Sequence, residues 1–229
     1  MTEEKYILQS PNTEGPAITS VFYYIMSLLN TSPPRFYLIP DVESGLNLNR
    51  AIDKDKNLKV FTAGNQVLTG YNEKELIYLL FRHLIYTYDE YILVKLFRNN
   101  SELFTVLLGA IRFGNPRLKI EGDQKIINKT ANQIDDLLPR EVQSELRALV
   151  KELTFNGKLP DFNYYIKNLE LLAIKLSFLL IHDIETSFRM TEVFFKHSPF
   201  KLNRQKFIIT KFSISDEYFK LRQQFNLNL

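Results

Sequence analysis

Cysteine is absent from this 229-residue chain, which excludes disulfides and thiolate metal sites at the outset. Tryptophan is absent too, and glycine occurs only eight times, which argues against a turn-dense all-β protein. No run of about 18 apolar residues free of charge occurs, so no membrane span is expected. Charge of one sign is also scarce: 29 basic and 26 acidic residues leave a net charge of +3, and no basic block stands out that would steer nucleic acid. The start, Met1 to Tyr6, is acidic and lacks an apolar core followed by a small-residue cleavage site, so no secretory signal is expected and a cytoplasmic location is the default. What the chain does have is rings, with 12 Tyr and 18 Phe, and 45% apolar residues, enough for a sizeable core with a helical bias.

Residues 1–16 read as a polar leader punctuated by Pro11, Gly15 and Pro16, and 17–229 as a single domain. Ala17 to Leu29 has the length and apolar density of a helix, stopped by Asn30 to Pro34. Arg35 to Ile39 and Leu58 to Thr62 are β-rich runs, with a polar loop or ragged edge between them. Asn72 caps a helix whose first turn holds Glu73 and Glu75 and whose apolar positions continue to Leu96 and Phe97. Leu76, Leu80 and Leu84 on this helix should pack against Leu172, Leu176 and Leu179 on a later one or against the sheet.

Further helices are expected over 101–113, over 123–153 with a break at Leu138-Pro139-Arg140, and over 163–181, which is apolar on most faces. Helices over 185–195 and 216–225 follow, the last capped by Ser213 or Ser215, whereas 205–214 fits strand or helix equally well. The loop Gly157 to Pro160 is the best place for a domain cut. The fold class expected is mainly α with a small β-sheet, α+β.

The helix from Glu75 onward reads Glu-Leu-Ile-Tyr-Leu-Leu-Phe-Arg-His-Leu-Ile-Tyr, ending at Tyr86. With the strand near 35–39, the strand 58–62, the connector Gly64 to Gly70 and the opening Asn72-Glu-Lys-Glu-Leu, it resembles the catalytic core of the HtpX-like zinc metallopeptidases. A closer likeness is to zincin-like domains at the ends of large bacterial tetratricopeptide-repeat proteins, carried by segments 75–97, 168–194 and 212–222 and covering roughly residues 17–227. The resemblance implies a zincin-like helical core.

The working motif of that family, His-Glu-x-x-His, puts two imidazoles one helical turn apart with a glutamate as general base. The corresponding positions here hold Arg82, His83 and Tyr86. The family's second motif, Glu-x-x-Ala-Asp, is matched by Glu170-Leu-Leu-Ala173-Ile174, which keeps the glutamate and loses the aspartate. The resemblance therefore implies a relic site of Arg82, His83, Tyr86 and Glu170, without metal, cofactor or catalytic residue. Arginine stays protonated and offers no lone pair, and His83 with Glu170 falls short of the roughly three protein ligands a catalytic zinc needs. A rearranged metal site recruiting His182 or His197 is the alternative, and would make the chain a hydrolase.

Arg82 and Glu170 either form a buried ion pair in place of the cation or leave Arg82 solvated on a helix face. The tyrosines at 86, 88, 91, 164 and 165 read as the edge of a core with their hydroxyls in water, and the basic, aromatic stretch 201–211 as a solvated rim. The function expected is that of a pseudoenzyme, a protein-interaction or structural component of a bacterial assembly that binds a partner or a second copy of itself.

Overall fold

A computed structural model describes residues 6–11, 14–30, 32–53, 56–97, 99–194 and 198–227, with the side chains of 50–58 outside that description. The chain is mainly helical with one small mixed sheet. It forms two compact units, the first made of residues 1–96 and 166–229 and the second of 97–165. The second unit therefore ends a few residues beyond the Gly157 to Pro160 loop.

In the first unit, strands β1 (Ile7–Leu8), β2 (Arg35–Ile39), β3 (Leu46–Asp53) and β4 (Lys56–Gly64) line up in the order β1-β2-β4-β3. The pair β2 and β4 is parallel, and the two outer pairings are antiparallel. Strand β1 falls in the stretch expected to be a leader. Strand β3 corrects the expectation of a loop between the two β-rich runs: Leu46-Asn-Leu-Asn49 alternates with period two, so Leu46 and Leu48 join the apolar face while Asn49 bonds Thr62 on the other. Polar residues at alternate positions suit an edge strand.

Helix α1 (Ala17–Leu28) and helix α3 (Glu73–Leu84) cover that face, with a short α2 (Asn65–Leu68) between β4 and α3. Their core joins Phe22 and Ile25 of α1, Phe36 and Phe61 of the sheet, and Leu76, Leu80 and Leu84 of α3, all buried. The Phe22 and Phe36 rings stack at 4.6 Å. A full capping box fixes the start of α3: the Asn72 side chain accepts from the Glu75 amide, and the Glu75 carboxylate accepts from the Asn72 amide.

The helix expected to run to Phe97 ends at Leu84. A 3₁₀ turn, Ile85–Thr87, follows, and the Thr87 hydroxyl donates to the Leu84 carbonyl at 2.6 Å. A separate short helix α4 (Leu93–Leu96) comes after it. The β-branched pair Ile85 and Thr87 and the local side-chain bond account for a break that apolar periodicity does not register.

The rest of the first unit is helix α8 (Phe162–Ile181, from Ile166 onward), α9 (Ile184–Phe194), α10 (Leu202–Ser213) and α11 (Asp216–Gln224). The ambiguous stretch 205–214 is thus helical. Ser215 caps α11, accepting from the Tyr218 amide. Leu179 is buried in a second cluster with Phe178, Ile209, Phe212 and Tyr218. Leu172 and Leu176, expected to be buried, are only half-buried and pack at the margins of clusters.

The second unit packs α5 (Asn100–Gly114), α6 (Gln124–Leu137) and α7 (Arg140–Leu153) around Ile111, Ile120, Ile127 and Val150. The break at Leu138-Pro139 lies where expected. Two glycines of α5 allow the close approach: a Cβ on Gly109 would meet Thr130 Cγ2 at 2.5 Å, and one on Gly114 would meet Val150 Cβ at 2.4 Å.

Candidate functional site

Helix α3 presents Tyr78 and Arg82 one turn apart, followed by His83, and the 3₁₀ turn adds Tyr86. Arg82, His83 and Tyr86, with Glu170 of α8, Lys95 of α4, Phe194 of α9 and residues Leu46 to Leu48 of β3, line a cavity of about 290 Å³ in the first unit. The structure thus brings together all four residues singled out from the sequence.

Arg82 is 3% exposed and Glu170 6%, and they form an ion pair. Of the two readings open for Arg82, the buried pair is the one present. Glu170 is fully engaged: one carboxylate oxygen takes the guanidinium, and the other accepts from the Tyr86 hydroxyl at 3.1 Å. Arg82 also donates to the Tyr78 hydroxyl and the Gln205 side-chain oxygen, each at 3.4 Å, and stands 4.7 Å from the Phe194 ring centre. Such a pair is sensitive to loss of either member, since the remaining charge would stay buried without compensation.

Tyr86, expected to keep its hydroxyl in water, is 3% exposed and packs with Ile85, Leu169 and Ala173. Its buried hydroxyl is satisfied by Glu170, as a buried phenol requires. By contrast Tyr164 is 66% exposed and belongs to no core. Burial raises the Tyr78 hydroxyl pKa, and Arg82 works against that shift.

His83 donates from Nδ1 to the Leu79 carbonyl at 2.8 Å when that nitrogen carries the proton. Burial lowers its pKa to about 4; the Leu79 bond opposes the shift and the charges of Lys95 and Arg82 add to it. The imidazole is therefore neutral at ordinary pH. Lys95 places its ammonium 4.3 Å from the centre of the Tyr86 ring. Its pKa is lowered, first by burial of the ammonium, with Glu170 opposing and Arg82 reinforcing. The residue as a whole is exposed, while its ammonium is turned onto the Tyr86 ring at the cavity wall.

The donor set does not suit a zinc ion. Arg82 offers no lone pair, both Glu170 oxygens are taken, and His83 spends one ring nitrogen on a carbonyl. Among the described residues no group of three or more His, Asp or Glu is placed to hold a metal ion. His182 lies with Tyr218, bonding its hydroxyl and stacking on its ring, and is not part of the cavity wall. His197 lies outside the described residues.

Several residues of the cavity wall and of the hydrogen-bond network around Arg82, Phe194 among them, escape the sequence reading. Tyr78 carries a signal in hindsight, lying four residues before Arg82 and so on the same helical face. Lys95, Gln205 and the Leu46 to Leu48 segment are brought in by tertiary packing and carry no local signal. Among the described residues no helix is long and apolar enough to cross a membrane. Comparison with protein-family models, with curated proteins and with solved structures finds no match to this chain.

Proposed function

We propose that this chain is a non-catalytic, metallopeptidase-like domain that holds a polypeptide segment in the cavity between β3 and α3, acting as an interaction component of a bacterial assembly. One observation carries the reading. The Arg82 guanidinium occupies the face of α3 that the resemblance assigns to a metal ligand, and it consumes the Glu170 carboxylate that would be the surviving ligand. A cation built into the chain replaces an exchangeable one, so the helices stay joined while the Lewis acid is lost.

The cavity remains open beside an edge strand. Strand β3 stands at the end of the sheet, and an edge strand offers unpaired amide and carbonyl groups to an extended chain. Polypeptide is the ligand such an edge selects.

The test is metal content and proteolysis measured together. Protein purified without chelator is expected to carry far less than one zinc per chain and to leave unfolded casein intact with or without added zinc. Stoichiometric, chelator-sensitive zinc that is lost in both His83→Ala and Glu170→Ala would overturn the reading and establish a hydrolase with a rearranged site instead.

A further inference from the structure

The cavity wall does not balance its charges. Arg82 and Glu170 cancel, and His83 is neutral at ordinary pH. Lys95 is left over: among the described residues no carboxylate lies within ion-pairing distance of it, and its ammonium rests on the Tyr86 ring. The π face of a tyrosine is a weak substitute for a carboxylate, so the site keeps a net positive charge in partly dry surroundings. A ligand that brings a carboxylate to Lys95 gains a charge-assisted contact, while one that brings a cation meets the uncancelled charge of Lys95.

Geometry restricts the form of that carboxylate. Leu46 to Leu48 of β3 form one wall, and β3 continues beyond them to Asp53. A peptide that adds to this edge runs past the cavity and directs alternate side chains to one side.

We infer that the cavity receives an acidic side chain, aspartate or glutamate, from an extended peptide paired along β3, with Lys95 as the residue that selects it. This inference rests on the reading of the chain as a peptide-holding domain. It adds the chemical identity of the segment held.

The experiment is panning of a random heptapeptide library, blocked at both ends, on the immobilised full chain. An acidic residue should be enriched at one position over Asn or Gln by about tenfold, the ratio one charge-assisted contact is worth. Lys95→Gln should abolish that preference while keeping the wild-type melting temperature, since the residue is exposed, and Lys95→Glu should turn it toward Lys or Arg. Enriched peptides with no acidic preference, or a preference unchanged in Lys95→Gln, would overturn the assignment of Lys95 and leave peptide holding intact. A second library with free C-termini separates the remaining source of carboxylate: enrichment confined to that library would overturn the side-chain assignment. Absence of any enriched peptide from both libraries would overturn this inference and the peptide-holding reading together.

Discussion

Arg82 and Glu170, 88 positions apart in the sequence, meet as a buried ion pair that Tyr78, Tyr86, Gln205 and Phe194 enclose. The contact joins α3 to α8 through charge in a region otherwise held by apolar side chains. Attraction between two buried charges is largely offset by the water each gives up, so the intact pair adds little net stability.

Removing one partner has a different consequence. Glu170→Gln keeps the shape of the side chain and leaves the guanidinium uncompensated, which should cost about 3 kcal/mol in urea-induced unfolding. The double variant Arg82→Met with Glu170→Leu should recover most of that loss, because no orphan charge remains. A cost below about 1 kcal/mol for Glu170→Gln would mean that the pair is solvated.

Packing of the first core gives a second prediction. Leu80 is fully buried between α1, the sheet and the body of α3, where a cavity cannot easily collapse. Leu80→Ala should cost about 2–5 kcal/mol, and a loss under half a kcal/mol would show that this face of α3 yields to refill the space.

In the second unit the tight approach of α5 to α7 at Gly114 makes overpacking the sensitive change. Gly114→Ala puts a methyl group 2.4 Å from Val150 Cβ, too near for any real contact, although alanine is the better helix former. The expected loss is about 1–3 kcal/mol. Combining it with Val150→Ala should restore part of the stability, whereas an unchanged or raised melting temperature for Gly114→Ala alone would contradict the packing.

Much of the fold is legible in the sequence where local chemistry decides it. The Asn72 capping box, the Pro139 break and the apolar density of 162–181 each mark an element by its own residues. Misreadings fall where tertiary context decides. Strand β3 forms because β4 gives it a partner, and its alternation over four residues is too short to stand out beside its polar neighbours. Helix α3 stops at Leu84 although Ile85 and Tyr86 continue its apolar pattern, because the Thr87 hydroxyl takes the Leu84 carbonyl, and the resulting turn carries the Tyr86 hydroxyl to Glu170. At the site, Arg82, His83, Tyr86 and Glu170 were identifiable by residue type against a motif. Lys95 was not, because an exposed lysine on a short helix gains meaning only from the ring and the charges folded around it.

The neutral His83 imposes a pH dependence whose direction is fixed by burial. Its pKa is about 4 in the folded protein and returns to the ordinary 6.5 when the chain unfolds. Between those values the unfolded state binds more protons, so stability is complete above about pH 6.5 and falls as the pH drops toward 4. The difference corresponds to about 3 kcal/mol, and the partial exposure of His83 to the cavity reduces it to about 2. His182 is also lowered, by burial and by the charges of Arg222 and Lys74, and contributes in the same sense. Asp183, held below its ordinary value by its bonds to Lys74 and Thr186, titrates at more acidic pH and leaves this window to the histidines. The informative quantity is therefore the difference between wild type and His83→Gln. Wild type should lose about 1.5–2 kcal/mol more than the variant between pH 7 and about pH 4.5, read from urea midpoints at constant ionic strength. Parallel curves would show that His83 titrates as it does in open chain, and the burial of its imidazole beside Arg82 and Lys95 would then be wrong.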